Sequence, residues 1–338
     1  MTTRSSRLPR VFVFTVASAL LAACGDGGSG QGTGMLQLSI TDAPVDVADE
    51  VVVQFAGVEL KPRGGRAFSI DFVDPAATPP NTKTLDLLDY QGTASALLLP
   101  ATEIPAGEYE WIRLKVNADP SVEDSYISID GSRCELRIPS GAETGLKLVS
   151  GFTVGVGATM AFTIDFDLRK SVVQPPGQSA DTPMCDGQAY LLKPALRVVN
   201  NLEVGTITGT IAPEVLTAAA CPANQLGKVY LFGPYDATAP VPDDFDLNAA
   251  DGADALTSAM VEVDQNSDNR YTIGFVPVGK YVVAYTCAAA DDPAVDADLA
   301  NTPAGADEVV TFIPEAGVTT SVVANQTTTV PEITVPAP

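Results

Sequence analysis

The sequence predicts an all-β chain built from two β-sandwich domains in tandem. Three observations carry that prediction. Thr, Val, Gly and Pro are plentiful, while stretches of strong helix formers are scarce. Short runs of alternating or clustered apolar residues recur between glycine and proline punctuation. The 338 residues are long for one sandwich, and the composition breaks near Asn200-Asn201.

The order along the chain begins with an export signal. Arg4, Arg7 and Arg10 precede a largely apolar run of thirteen residues, Val11 to Ala23. That is the length of a signal-peptide core and falls short of the ~20 residues needed to span a bilayer. Leu21-Ala22-Ala23-Cys24 follows directly and resembles the lipobox of bacterial lipoproteins. The resemblance implies cleavage before Cys24, a diacylglycerol thioether on its sulfur and an acylated (palmitate-type) new amino terminus. Two or three acyl chains hold a protein durably to a leaflet where one does not. Residues 1–23 are thus expected to be a lipoprotein signal peptide and residues 24–34 a lipidated cysteine with its tether. Gly25 to Gly34 cannot hold secondary structure and reaches ~18 Å as a flexible coil. Gly25, where an aspartate would favour the inner membrane, implies an outer-membrane lipoprotein facing the periplasm or the exterior.

Charge and composition exclude several functions. Acidic residues outnumber basic ones 42 to 19, for a formal charge of −23. Such a chain repels a phosphate backbone, so nucleic acid is not an expected partner. Histidine is absent, which removes Ser-His-Asp and Cys-His activation, histidine metal ligands and an imidazole pH switch. With 42 acids, some carboxylate pair always lies at a usable separation, so glycosidase-like pairing carries no signal. The glycines of GFTVGVGATMAF lack the setting of a phosphate loop and read as a strand with bulges. The expectation is a protein that is not an enzyme and needs no cofactor or metal.

Cys24 is the odd one of five cysteines, which leaves Cys134, Cys185, Cys221 and Cys287 for disulfides in an exported chain. Four cysteines allow three pairings. Joining Cys134 to Cys185 and Cys221 to Cys287 would keep each bridge inside one half.

The first half, residues 35–200, reads as strands in series. In AFTIDFDL, Phe162, Ile164, Phe166 and Leu168 share one face while Thr163, Asp165 and Asp167 share the other, the period of a half-buried strand. LSITDAPVD with Asp42 and Pro44, TLDLLDYQG, IPAGEYEWIRLKV, IDFDLRKSVV and YLLKPALRVV follow one another in the order of the bacterial lipoprotein domain of unknown function numbered 4382, which this half resembles. That resemblance implies no activity.

The second half, residues 205–338, holds TITGTI, KVYLFGP, DQNSDNRYTIGFVPVGKYVVAYTC and a strand-rich tail. Its hairpin, a polar turn and then Val276-Pro277-Val278-Gly279-Lys280-Tyr281, resembles the carboxypeptidase regulatory-like and Cna-B-like domains. The resemblance implies an immunoglobulin-like or prealbumin-like (transthyretin-like) sandwich, with the acidic stretch Ala237 to Ala259 as an insertion. Residues 201–338 carry 3 basic and 19 acidic residues. The acidic clusters read as solvated loops.

An internal echo links the halves. IPAGEYEWIRL and VPVGKYVVAYT share hydrophobic-Pro-x-Gly-x-Tyr ahead of a strand, where proline and glycine set a tight turn. Parity differs between the copies: Tyr281 shares a face with Val283 and Tyr285, whereas Ile112, Leu114 and Val116 lie opposite Tyr109. A β-bulge, or an aromatic on the outer face, would reconcile them. If Ile112, Leu114 and Val116 face the core, then Tyr109, Trp111, Arg113 and Lys115 form an aromatic and cationic strip suited to a sugar ring and its hydroxyls. The other reading puts Tyr109 and Trp111 in the core or an interface. Asp264, Asn266 and Asp268 have the spacing that opens a calcium loop, but Asn269 and Phe275 stand where an EF-hand needs Gly and Glu, so a polar hairpin turn is the expected role.

The expected whole is a membrane-tethered envelope module that binds a glycan or envelope polymer, the alternative being a structural or adhesive spacer that engages another envelope or matrix protein.

Overall fold

A computed structural model describes residues 32–43, 48–118, 124–138, 145–173, 190–219, 221, 225–243, 255–288 and 310–335. Cys24 and Cys185 lie outside these residues.

The described residues of the first half form β1 (Thr33–Ala43), β2 (Glu50–Pro62), β3 (Phe68–Asp71), β4 (Lys83–Asp86), β5 (Ala96–Pro105), β6 (Gly107–Asn117) and β7 (Tyr126–Ile129). They continue with β8 (Ser132–Arg137), β9 (Leu146–Leu148), β10 (Phe152–Val154), β11 (Thr159–Asp167), a one-turn helix α1 (Leu168–Ser171), β12 (Val172–Val173), β13 (Tyr190–Leu192) and β14 (Leu196–Asn200). The second half forms β15 (Val204–Ile211), α2 (Pro213–Ala218), β16 (Lys228–Phe232), β17 (Ala255–Met260), β18 (Glu262–Val263), β19 (Asn269–Pro277), β20 (Gly279–Thr286), β21 (Ile313–Val322) and β22 (Thr327–Thr329). The fold class is all-β, as the composition and strand periodicity predict. Among the described residues no helix is long and apolar enough to cross a membrane.

Two sheets build each half. A four-stranded sheet ordered β14-β11-β1-β5 faces a ten-stranded one running β10-β6-β2-β7-β8-β13-β12, with β3, β4 and β9 attached to its flanks. Leu36, Leu38 and Ile40 of β1, Phe162, Ile164 and Phe166 of β11, and Val58, Leu60, Ile112 and Leu114 of β2 and β6 close one core between them. In the second half the sheets β18-β19-β15-β22 and β17-β16-β20-β21 enclose Ile207, Val229, Tyr271, Tyr281, Val283 and Tyr285. Strands β16 and β20 are buried on both faces, because Tyr230, Phe232, Val282 and Ala284 form a further cluster with Phe312 on the opposite side. No described sheet crosses from one half to the other, while Gly32–Pro338 packs as one compact unit.

Four local readings change in the structure. β1 begins at Thr33 and pairs there with β5, so the last two residues of the expected 24–34 tether are strand. GFTVGVGATMAF is two strands in different sheets: β10 pairs with β6 and β11 with β1, separated by a turn at Gly157, whose φ of 68° suits glycine. The stretch Ala237 to Ala259 ends in β17, whose small residues pair along β16. In β11 the face opposite the core is not solvated: Thr163 and Asp165 are buried, and the strand gives way to α1 at Leu168. Asp167 caps that turn by accepting from the Lys170 amide.

Cys221 and Cys287 are bridged, with their Cα atoms 5.2 Å apart. Cys134, buried on β8, is disulfide-bonded.

Candidate functional site

The echo between halves is structural. The Tyr109 hydroxyl donates to the Pro105 carbonyl at 2.7 Å, and the Tyr281 hydroxyl donates to the Pro277 carbonyl at 2.8 Å. Both side chains are buried, each reaching back over its own Pro-x-Gly turn. Gly107 has φ of 145°, which an L side chain rarely adopts.

Parity is reconciled by a β-bulge. Along the β2–β6 ladder Lys61 faces Trp111 but Pro62 faces Tyr109, so Glu110 is the extra residue. The bulge turns Tyr109 inward on the same side as Ile112, Leu114 and Val116. Tyr109 is therefore not a member of the outer strip. It is 2% exposed and stacks on Phe152 with ring centres 4.8 Å apart. Burial pushes its hydroxyl above the usual tyrosine pKa.

Trp111, Arg113 and Lys115 remain on the outer face of the ten-stranded sheet, half-buried. The Arg113 guanidinium and the Lys147 ammonium, directly opposite each other on β6 and β9, each lie 4.8 Å from the Trp111 ring centre. Such cation–π contacts contribute ~0.5–1 kcal/mol when exposed. Arg113 donates to Glu59 Oε2, its cross-strand neighbour, at 2.5 Å. Arg113 Nε is buried without a hydrogen-bond partner among the described residues. Lys115 pairs with Asp71 at 2.5 Å across the intervening β2. Gly57 faces both residues in register, and with no side chain there the lysine can pass over the strand.

The second place where charge gathers is the junction of the halves. Asp42 of β1 lies near Asp165 and Asp167 of β11 and near Lys228 of β16, which is 1% exposed. Arg197 of β14 pairs with Asp165 at 2.5 Å. Both Asp42 oxygens are buried without a hydrogen-bond partner among the described residues. The Leu168 amide pulls on that carboxyl only weakly, and burial, then Asp165 and Asp167, push it well above the usual carboxylate range. From α1, Arg169 donates to the Tyr230 hydroxyl and Lys170 donates to the Ala255 carbonyl at 2.9 Å. A cleft of about 270 Å³ opens nearby, lined by Gln91, Gly92 and Thr93 of the first half and by Met260, Glu262 and Arg270 of the second. The backbone at Gly92 lies so close to Gly274 that a Cβ there would stand 2.1 Å from the Gly92 oxygen. Neither the junction nor its cleft was legible in the sequence, because each needs side chains from both halves.

Asp264 is the hub of a turn. Its Oδ1 accepts from the Asn266 and Asp268 amides at 2.8 and 3.0 Å, and its Oδ2 accepts from Arg270 Nε at 2.9 Å. These bonds hold its pKa below the usual value, that from Arg270 most of all. Among the described residues no cluster of three or more His, Cys, Asp or Glu side chains could hold a metal ion.

No curated protein matches the chain in sequence. Among solved structures it is similar to GBS52, the minor pilin of Streptococcus agalactiae, at 10% identity and a TM-score of 0.17, over 89% of this chain and 98% of that one. It is similar to the fimbrial anchor protein Mfa2 from Porphyromonas gingivalis at 12% identity and a TM-score of 0.16, over 74% and 78%. A leucine-rich repeat protein from Bacteroides thetaiotaomicron matches at 11% identity and a TM-score of 0.20, over 90% of this chain and 27% of that one. The chain spans 27% of that protein and 34% of the Bacillus anthracis TIE protein. Residues 33–194, the stretch that holds β1 through β13 and the Trp111 face, match the family model described as a domain of unknown function (DUF4382).

Proposed function

We propose that the protein is a lipid-anchored module of the cell envelope that acts by binding, and that its ligand is a glycan or envelope polymer laid on the outer face of the ten-stranded sheet. The observation that carries this reading is the placement of Trp111. It is the chain's single tryptophan, and it stands half-exposed on a sheet face, held by Arg113 and Lys147. Large aromatics are usually well buried in a core. An aromatic ring backed by fixed donors suits polyhydroxyl recognition. The histidine-free sequence argues for binding over catalysis. The lipobox-like Leu21-Ala22-Ala23-Cys24 and the glycine tether support attachment at the outer membrane.

A spacer role is favoured by a different observation. The halves are joined by Arg169 on Tyr230, Lys170 on Ala255 and the Gly92–Gly274 approach. A joint of that kind transmits load between domains.

One experiment separates the two. Polysaccharide isolated from the producing cell's envelope is immobilised, and the wild type is compared with Trp111→Ala, each with its melting curve. The binding role predicts loss of retention with melting close to wild type. Unchanged retention, or loss of folding in the variant, favours the spacer.

A further inference from the structure

We infer that the ligand of the Trp111 face is an anionic polysaccharide, one bearing carboxylate, sulfate or phosphate groups; this rests on the proposed binding role. The outward row of the sheet contains more cations than it neutralises. Glu59 is taken by Arg113 and Asp71 by Lys115. Among the described residues Lys61 and Lys147 keep no carboxylate. Lys61 faces Trp111 across the β2–β6 ladder and donates only to the Gly65 carbonyl. Lys147 faces Arg113 across the β6–β9 ladder and meets only the Trp111 ring. The two lysines thus flank the tryptophan from opposite strands, on a chain whose net charge is −23.

This local reversal of sign is what a ligand would feel. Elsewhere the acidic surface repels an anion, so an anionic polymer is steered to the cationic row. The ring itself is engaged by cations on β6 and β9, so it serves less as a bare platform for a neutral sugar than as a support that holds two positive groups in place. Lys115, Arg113 and Trp111 recur at every second residue of β6, a row of about 14 Å along the strand. A linear polymer matches that shape. Exposed Glu110, the bulge residue beside Trp111, is the acid that opposes it.

The test uses the mature full-length protein in detergent, with immobilised polygalacturonate and immobilised dextran as probes. Polygalacturonate should retain the wild type in low salt, dextran should not, and retention should fall as salt is raised past ~0.2 M. Lys61→Glu with Lys147→Glu should weaken retention by about tenfold, Lys147→Gln should weaken it less, and Glu110→Gln should strengthen it. Equal retention on dextran, lost with Trp111→Ala but unmoved by the lysine variants, would overturn the charge inference and leave the binding role standing. Binding to vesicles rich in anionic lipid in place of polygalacturonate would overturn the polysaccharide assignment. Failure to bind polygalacturonate, dextran and the envelope polysaccharide alike would overturn both readings.

Discussion

The guanidinium of Arg169 lies 5.0 Å from the centre of the Tyr230 ring and donates to its hydroxyl, so a residue of the first half holds a fully buried aromatic of the second. Hydrogen bonds from charged groups contribute ~1.5–3 kcal/mol. Arg169→Ala is expected to lower stability by about 2–3 kcal/mol and to split one calorimetric transition into two. A single transition at the wild-type temperature would show that the contact does not couple the halves.

Asp42 gives the pH dependence its sign. A carboxyl whose pKa is raised by folding binds its proton more tightly in the native state. Its stabilising contribution is full below the usual value of 3.8 and is lost as pH rises through the folded pKa. Asp42→Asn removes that loss. The variant should be more stable than wild type at about pH 7, and the gap should narrow toward about pH 4. Urea midpoints at both pH values give the difference, and a variant weaker at neutral pH would contradict it. Asp165 and Asp167 are also raised, chiefly by burial, and their charges add to the cost that Asp42→Asn removes.

Tyr109 and Tyr281 should respond alike to loss of the hydroxyl. Each phenylalanine variant removes one buried hydrogen bond to a proline carbonyl, for a cost of about 1 kcal/mol. Folding free energies from denaturant titration should show similar losses. A neutral effect at either tyrosine would break the structural equivalence of the two turns.

These turns also show how much could be read in the sequence. Pro-x-Gly-x-Tyr was visible twice, but the sequence left open which face of β6 points inward; the structure turns Ile112, Leu114 and Val116 to the core. The side on which Tyr109 falls was not decidable, because one extra residue, Glu110, flips the parity, and the bulge exists only against β2. Trp111, Arg113 and Lys115 were legible as a strip. Lys147 was missed, because its place beside Trp111 depends on pairing between β6 and β9. Thr163 and Asp165 looked solvated because periodicity marks the face away from one core and says nothing of a second layer covering it. The polar turn at Asp264 was legible because its geometry is local.

The bridge between Cys221 and Cys287 spans 66 residues. In the loop-entropy description a closure of that length stabilises by about 4 kcal/mol. The Tyr285 hydroxyl lies 3.1 Å from Cys221 Sγ and 2.8 Å from Cys287 Sγ and donates to the Leu226 carbonyl, so the bridge also organises buried groups. Replacing both cysteines with serine should lower the unfolding free energy by an amount of that order, read as a fall in the denaturant midpoint. An unchanged midpoint would mean that the acidic half holds together without it.

The proposed anchorage at Cys24 decides where this protein would work. The most direct measurement is the intact mass and amino-terminal peptide of protein recovered from membranes of its native host or of a comparable bacterium. The prediction is a chain that begins at Cys24, carries diacylglyceryl and acyl mass, and enters the detergent phase on partitioning. A mature chain that begins at another residue, without lipid, and stays in the aqueous phase would contradict it.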